Sequence, residues 1–244
     1  MLSTILSLSV AAYLSSLVSG LVGMAGGILL LGAMTVVMPI SIIVPIHGIV
    51  QLTSNVSRTL MLIPHIKKPY FYSFLFGTPF GGYLGYLILS RIQSPYWLFG
   101  VVAVLLSYIA FKPKKLPDIK LPERFFWILG AVASCLGCLI GATGPLLAPF
   151  FIRHDFTKEE IVATKASCQV LIHLVKIPTF MALSFPYKDH LTTIIIMVIM
   201  VIIGTKSGVY FLKRIDGTRF FSLVRLACVV MAIRLVYKLI QFYF

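Results

Sequence analysis

Four polar side chains, His47, Gln51, Asn55 and Arg58, follow one another at spacings of four, four and three residues inside an otherwise apolar stretch. On an α-helix those intervals place all four within roughly an 80° arc of one face. An imidazole, two carboxamides and a guanidinium on one face are equipment for holding an anion. A second stretch repeats the stripe as Lys165, Gln169, His173 and Lys176. Burying a central Lys or Arg in hydrocarbon costs ~2.5 to 3.5 kcal/mol even on insertion scales, so both stripes must face a cavity or a partner. The bland alternative is interhelical glue, with amides and histidine knitting helices together and Arg58 snorkelling toward Lys67.

Backbone donors belong to the same chemistry. The run Gly23 to Leu29 (GMAGGIL) returns 118 positions later as Gly141 to Leu147 (GATGPLL). Each run interrupts an apolar stretch and is followed by a short apolar helix, whose first N–H groups lack intrahelical partners and attract anions. Gly23, Ala25, Gly26 and Gly27 in the first break, and Gly141, Thr143 and Gly144 in the second, are the candidates to approach a ligand, Thr143 adding a hydroxyl. Close helix packing through small residues is the competing reading of such glycines.

The acids point to the sign of the cargo. All seven, Asp118, Glu123, Asp155, Glu159, Glu160, Asp189 and Asp216, fall in expected loops or at helix ends, whereas Arg58, Lys165, Lys176, Lys206, Arg225 and Arg234 do not. A cation path or carboxylate relay would want an intramembrane acid, so an anion is the expected cargo. His47 and His173 are the candidates for proton coupling, since imidazole titrates near neutrality. Lys165, and Lys206 as an alternative to snorkelling, are candidates for coupling or gating, and Arg225 and Arg234 fit snorkelling. Cys135 and Cys138 form a CxxC pair on an apolar helix; without Cys or His partners nearby it reads as packing. A membrane thiol-redox function using that pair is the alternative to transport. No metal site and no cofactor are called for.

The elements that must position these groups follow from the apolar pattern. Apolar residues are 59% of the 244 residues and charged ones only 11%, with a mean hydropathy of +1.00, so the lipid bilayer, not water, is the expected surrounding medium. The expected fold is all-α and polytopic. Ten helical pieces are predicted, at about 2 to 22, 26 to 38, 42 to 63, 70 to 90, 94 to 111, 124 to 140, 145 to 152, 158 to 183, 190 to 213 and 218 to 243. The Pro- and Lys-rich stretch 112–123 divides one transmembrane domain, 1–244, into repeats 1–111 and 124–244. Beyond the glycine runs, Gln51 aligns with Gln169, Asn55 with His173 and Arg58 with Lys176 at offset 118. At offset 123, Gly81, Gly85, Leu89, Arg91 and Ile92 align with Gly204, Gly208, Leu212, Arg214 and Ile215.

Taking 145 to 152 and 26 to 38 as halves of broken hairpins leaves three full spans per repeat, an odd number, so the two repeats should be inverted. That assignment gathers Lys67, Lys68, Lys112, Lys114, Lys115, Lys120, Arg124, Arg153, Lys158, Lys213, Arg214 and Arg219 on one side, against Arg91 and Lys188. By the positive-inside rule that side is the cytoplasm and both termini face outward; Arg234 and Lys238 stand against the trend. No Lys or Arg precedes Arg58, so a basic signal-peptide start is absent and Leu2 onward reads as mature protein. The net charge of +14 is scattered between apolar runs, which disfavours nucleic acid as a partner. A homodimer is compatible with the sequence.

These residues resemble the sulfite exporter TauE/SafE family, also called the toluenesulfonate uptake permease family. The likeness runs over Gly20 to Leu31, over Pro45, Ile46, His47 and Gly48 with Gln51, Ser54, Asn55 and Arg58, and over Gly81 to Ile92. It resumes at Gly137 to Leu147, at Ala163, Thr164, Lys165 and Ala166 with Gln169, His173 and Lys176, at Gly204 to Ile215 and at Arg234. The resemblance implies an inner-membrane carrier of a small anionic substrate such as sulfite, sulfoacetate, another sulfonate or thiosulfate, some members exporting and others importing. The chain departs from the pattern at Pro145, in place of a third glycine, and at its Cys pair.

Overall fold

In a lipid environment a backbone segment must satisfy its own polar groups, which leaves helices as the default for apolar runs of this kind. The computed structural model describes residues 2–91, 120–153, 155–220, 222, 223 and 226. Eight α-helices are traced through them: α1 (Leu2–Val22), α2 (Gly26–Val37), α3 (Ile40–Met61), α4 (Lys68–Arg91), α5 (Phe126–Ile140), α6 (Gly144–Phe151), α7 (Lys158–Ala182) and α8 (Leu191–Leu212). Short 3-10 turns at Ile63–His65, Glu123–Phe125 and Tyr187–His190 lead into α4, α5 and α8. No strand occurs among the described residues, so the all-α expectation holds. Four spans, Ser3–Val22, Glu123–Ile140, Lys158–Ala182 and Tyr187–Leu212, are long and apolar enough to cross a membrane. The helix predicted at 94 to 111 lies outside the described residues, as do nearly all of the 112–123 connection and most of the piece predicted at 218 to 243.

Both short helices double back. Gly26 of α2 lies against Ser15 and Ser19 of α1, Leu30 and Met34 share a cluster with Leu8 and Ala12, and Val37 and Met38 line one cavity with Thr4 and Ile5. Falling numbers on α1 meet rising numbers on α2, the signature of an antiparallel hairpin. The second short helix, α6, packs on α7 more than along α5, but it too heads back: Phe151 at its end stacks edge-on against Phe126 at the start of α5, with ring centroids 5.5 Å apart. Eight residues make a helix of about 12 Å, too short to span.

The long helices pack through glycine. Gly77 and Gly81 of α4 sit on the carbonyls of Trp127 and Ala131 of α5, and Gly85 approaches the Cys135 carbonyl. Gly204 and Gly208 of α8 sit on the carbonyls of Tyr13 and Leu17 of α1. Numbers rise together in both pairs, so α4 runs parallel to α5 and α8 parallel to α1. The two sets are one contact made twice: Gly81 aligns with Gly204 and Gly85 with Gly208, and their seats Ala131 and Cys135 align with Tyr13 and Leu17. Helix α3 packs against α7 and α8, and α7 packs against α4 and α5.

One end of the bundle is tied by charge. Lys67 pairs with Glu160 at 2.6 Å, and its backbone N–H donates to Thr164 Oγ1. Arg153 donates to both Asp155 oxygens at 3.0 and 2.8 Å and to the Leu121 carbonyl, and lies against the rings of Tyr70 and Phe156. Lys158 caps the end of α8 through the Leu212 and Ile215 carbonyls. The hydrogen bonds from Arg153 hold the Asp155 carboxyl below its usual range.

Two outcomes test this packing. Gly77→Ala drives a methyl into the Trp127 carbonyl and should destabilise by about 1 to 3 kcal/mol, whereas Gly217→Ala, with open space around it, should leave the melting temperature unchanged. A carboxyl whose folded value is depressed stabilises fully above its ordinary range and loses that contribution as pH falls through the folded value. Arg153→Met should therefore lower Tm at pH 7, with the gap to the parent narrowing below about pH 4 in a melting series against pH.

Candidate functional site

Helix α3 carries Pro45 one turn after its start and still runs unbroken to Met61, which keeps His47, Gln51, Asn55 and Arg58 on one face. All four are buried, His47 and Arg58 at 0% exposure. On α7, set by a capping box between Thr157 and Glu160, Lys165 and Lys176 are also at 0%, with Gln169 and His173 buried beside them. The stripes face each other. The rings of His47 and His173 lie 6.0 Å apart, and a Cβ at Gly48 would stand 2.9 Å from Lys176 Cδ, so the lysine stem crosses α3 over that glycine. Arg58 does not snorkel toward Lys67; it stays in the interior.

The two glycine breaks meet at the same place. A Cβ at Gly27 would come within 3.8 Å of Gln51 Oε1 and 3.9 Å of Ala142 Cβ, and one at Gly144 within 3.6 Å of Gln169 Nε2 and 3.8 Å of Lys165 Nζ. Each short helix thus starts opposite the glutamine of a stripe. No side chain caps α2 or α6, so their leading N–H groups are unserved from within. Pro145 removes one such donor from α6. The glycines play three distinct parts. Gly23 and Gly141 take positive φ, 76° and 89°, and turn the chain; Gly26 lets α2 lie on α1; Gly27 and Gly144 leave room beside the stripes. Ala25, at φ 72°, holds a conformation that is strained for a residue with a side chain.

The hydrogen bonds separate the stripes further. His47 Nε2 meets the Gly27 carbonyl at 2.9 Å. Asn55 is used within its own helix, donating to the Gln51 carbonyl at 2.8 Å and accepting from Arg58 at 3.2 Å. Arg58 also donates to Ser54, which joins Ser16 of α1 and Thr205 of α8 in a buried hydroxyl chain at 3.1 and 3.0 Å. Lys165 Nζ donates to the Gly23 carbonyl and Lys176 Nζ to the Gly141 carbonyl, both at 2.8 Å; Lys165 also reaches Gln169 Oε1 at 3.4 Å and Lys176 reaches His173 Nδ1 at 3.2 Å. Four buried atoms near this junction have no partner: His47 Nδ1, Gln51 Nε2, Arg58 Nε and Thr143 Oγ1. Stripes that were glue alone would have spent these groups on each other, because leaving a buried donor unserved costs ~1 to 3 kcal/mol.

The electrostatics are one-signed. Three cations, Arg58, Lys165 and Lys176, are buried together, and among the described residues no Asp or Glu is buried. Other expected groups stand apart. Lys206 is exposed on α8 while its neighbour Thr205 is buried, which fits snorkelling and not the lining of a shared cavity. Cys135, Cys138 and Cys168 are free and buried; Cys138 packs on Gly85, 2.9 Å from where its Cβ would be, a packing position. A cavity of about 220 Å³ between the ends of α1, α2, α3 and α8, lined by Thr4, Leu8, Val37, Ile42 and His190 among others, opens away from the charged end and contains none of the stripe residues. Arg225, Arg234 and Cys228 lie outside the described residues. The hydroxyls of Ser16 and Thr205, and the link that Ser54 makes between them, escape sequence reasoning. Single hydroxyls in apolar helices carry no spacing signal, and only the crossing of α1, α3 and α8 joins them.

The profile of the family described as Sulfite exporter TauE/SafE matches residues 8–235, nearly the whole chain. No curated protein and no solved structure matches it.

A partnerless buried donor can be replaced without loss of a bond. Gln51→Met should therefore hold or raise the melting temperature in detergent, the opposite of the fall expected if Gln51 were interhelical glue.

Proposed function

We infer the function from one premise: the chain belongs to the sulfite exporter TauE/SafE family, whose profile spans almost all of it. That is a family of transporters, and the chain is a multi-pass membrane protein of transport. Our reading is that it moves a small sulfur-containing anion, of the sulfite, thiosulfate, sulfoacetate or sulfonate class, by alternating access around a site in the middle of the bilayer.

The observation that carries this reading is the cluster of buried, partnerless donors where two helix N-termini meet in an interior with three cations and no buried acid among the described residues. An anion there would accept from Gln51 Nε2, Thr143 Oγ1 and the leading N–H groups of α2 and α6, with Gln169 and His173 completing the wall. Arg58 and Lys176 neutralise its charge, and Asn55 acts by holding Arg58. Hydrogen bonds to an ionised partner are worth ~1.5 to 3 kcal/mol each, enough for a few of them to hold a hydrated oxyanion. The parallel pairs α1 with α8 and α4 with α5 support two halves of opposite orientation, the arrangement in which a rocking motion exposes one site to either side. The charge-tied end is then cytoplasmic in the inner membrane, with both termini outside. His47 or His173 would carry any proton coupling.

Thermal-shift measurements with sulfite, sulfate, thiosulfate, sulfoacetate and an aryl sulfonate, followed by flux into proteoliposomes, test the reading. At least one sulfur anion should raise Tm by several degrees and be transported, and Arg58→Gln should weaken it about tenfold or more. Absence of any shift and of any flux with all five would sink the assignment, and flux that does not respond to pH would remove the proton.

A further inference from the structure

Each break offers two electrostatic poles. The helix that ends there, α1 or α5, presents unserved carbonyls, and the short helix that begins there, α2 or α6, presents unserved N–H groups. The two lysines of α7 take the carbonyl poles. Gly23 and Gly141 occupy equivalent positions, each closes its helix through its own N–H, to Ser19 and Gly137 respectively, and each turns the chain with a positive φ. Their carbonyls, with no helix continuing beyond them, are served by Lys165 and Lys176 at 2.8 Å.

The residues of α3 that align with those lysines behave differently. His47 meets the carbonyl of Gly27, not of Gly23, and Arg58 is engaged by Asn55 and Ser54. The partnerless stripe donors, Gln51 Nε2 and Arg58 Nε, both belong to α3, as does the unpartnered His47 Nδ1, the acceptor nitrogen of a ring whose Nε2 donates to Gly27. The duplicated stripes therefore do different work.

We propose that Lys165 and Lys176 are positioning residues that clamp the two hinge glycines from a single helix, and that an anion arriving at the α3 donors draws their ammonium groups off Gly23 O and Gly141 O and frees the hinges to move. The displacement step rests on the anion-site reading above; the clamps themselves do not. The two lysines are 11 residues apart on α7, about 16 Å along its axis, so one helix holds both halves of the junction at once. An anion competes directly for them, because an ammonium exchanges a neutral carbonyl for a full negative charge with a net gain.

Hydrogen–deuterium exchange on the purified full chain in detergent tests both parts. Without anion, Lys165→Met should raise exchange about tenfold in the amides of 23–28 and leave 141–147 unchanged, and Lys176→Met should do the reverse. Gly48→Val keeps the Lys176 charge but blocks the path of its stem across α3, and should likewise raise exchange at 141–147. A merely structural role would loosen both hinges together in each variant, and that result, or unchanged exchange at the matching hinge, overturns the clamps. With thiosulfate or sulfate added to the parent protein, exchange at both hinges should rise although Tm increases. A fall in hinge exchange on anion binding overturns the displacement step, while failure of every anion to bind the parent overturns the site reading and leaves the clamp result standing.

Discussion

Three positive charges held in a hydrocarbon-sheathed interior with no carboxylate among the described residues to answer them constrain everything around them. Full desolvation of an unanswered ammonium or guanidinium would cost more than the marginal stability of a domain. The chain answers with dipoles instead of ions: helix C-terminal carbonyls for Lys165 and Lys176, and a side-chain carbonyl and hydroxyl for Arg58. Helices must end inside the bundle to expose such carbonyls there. The glycine breaks are therefore as much a requirement of the buried cations as of any ligand.

Ending a helix inside the bundle also begins another, and the beginning carries the opposite polarity. With the carbonyl poles occupied by lysine, the N–H poles of α2 and α6 are left facing Gln51 and Gln169 across the space beside Gly27 and Gly144. The scaffold that allows this geometry is held by backbone-to-backbone packing at Gly77, Gly81, Gly204 and Gly208. Without a strong solvent-driven force between helices in lipid, that close approach is a main source of their association. Two glycine-packed pairs, α1 with α8 and α4 with α5, thus flank α3 and α7, which carry the stripes.

Much of this was legible in the residues. The four, four and three spacing named the buried face of α3, and the 118-residue offset found both breaks and predicted that Gln51 and Gln169 would hold equivalent places. Helix limits agreed to within a residue or two, α3 starting at Ile40 because Pro39 leaves its φ ready for the turn before the helix. What spacing could not give was the partner of each charge. Lys165 meets a carbonyl 142 residues away, a pairing set by how α7 crosses the end of α1. Likewise Gly26 and Gly27 are neighbours of identical type in sequence. Only the position of α1 makes the first a packing contact and the second a wall of the junction.

Pro145 makes the two breaks chemically unequal. Pro145 lacks the backbone N–H that Gly27 has at the equivalent position, which leaves the second break poorer in donors than its twin, and Thr143 Oγ1 adds a hydrogen that points by rotation and not by backbone geometry. The two breaks therefore differ in how their donors are fixed, one by the backbone and the other by a hydroxyl free to turn.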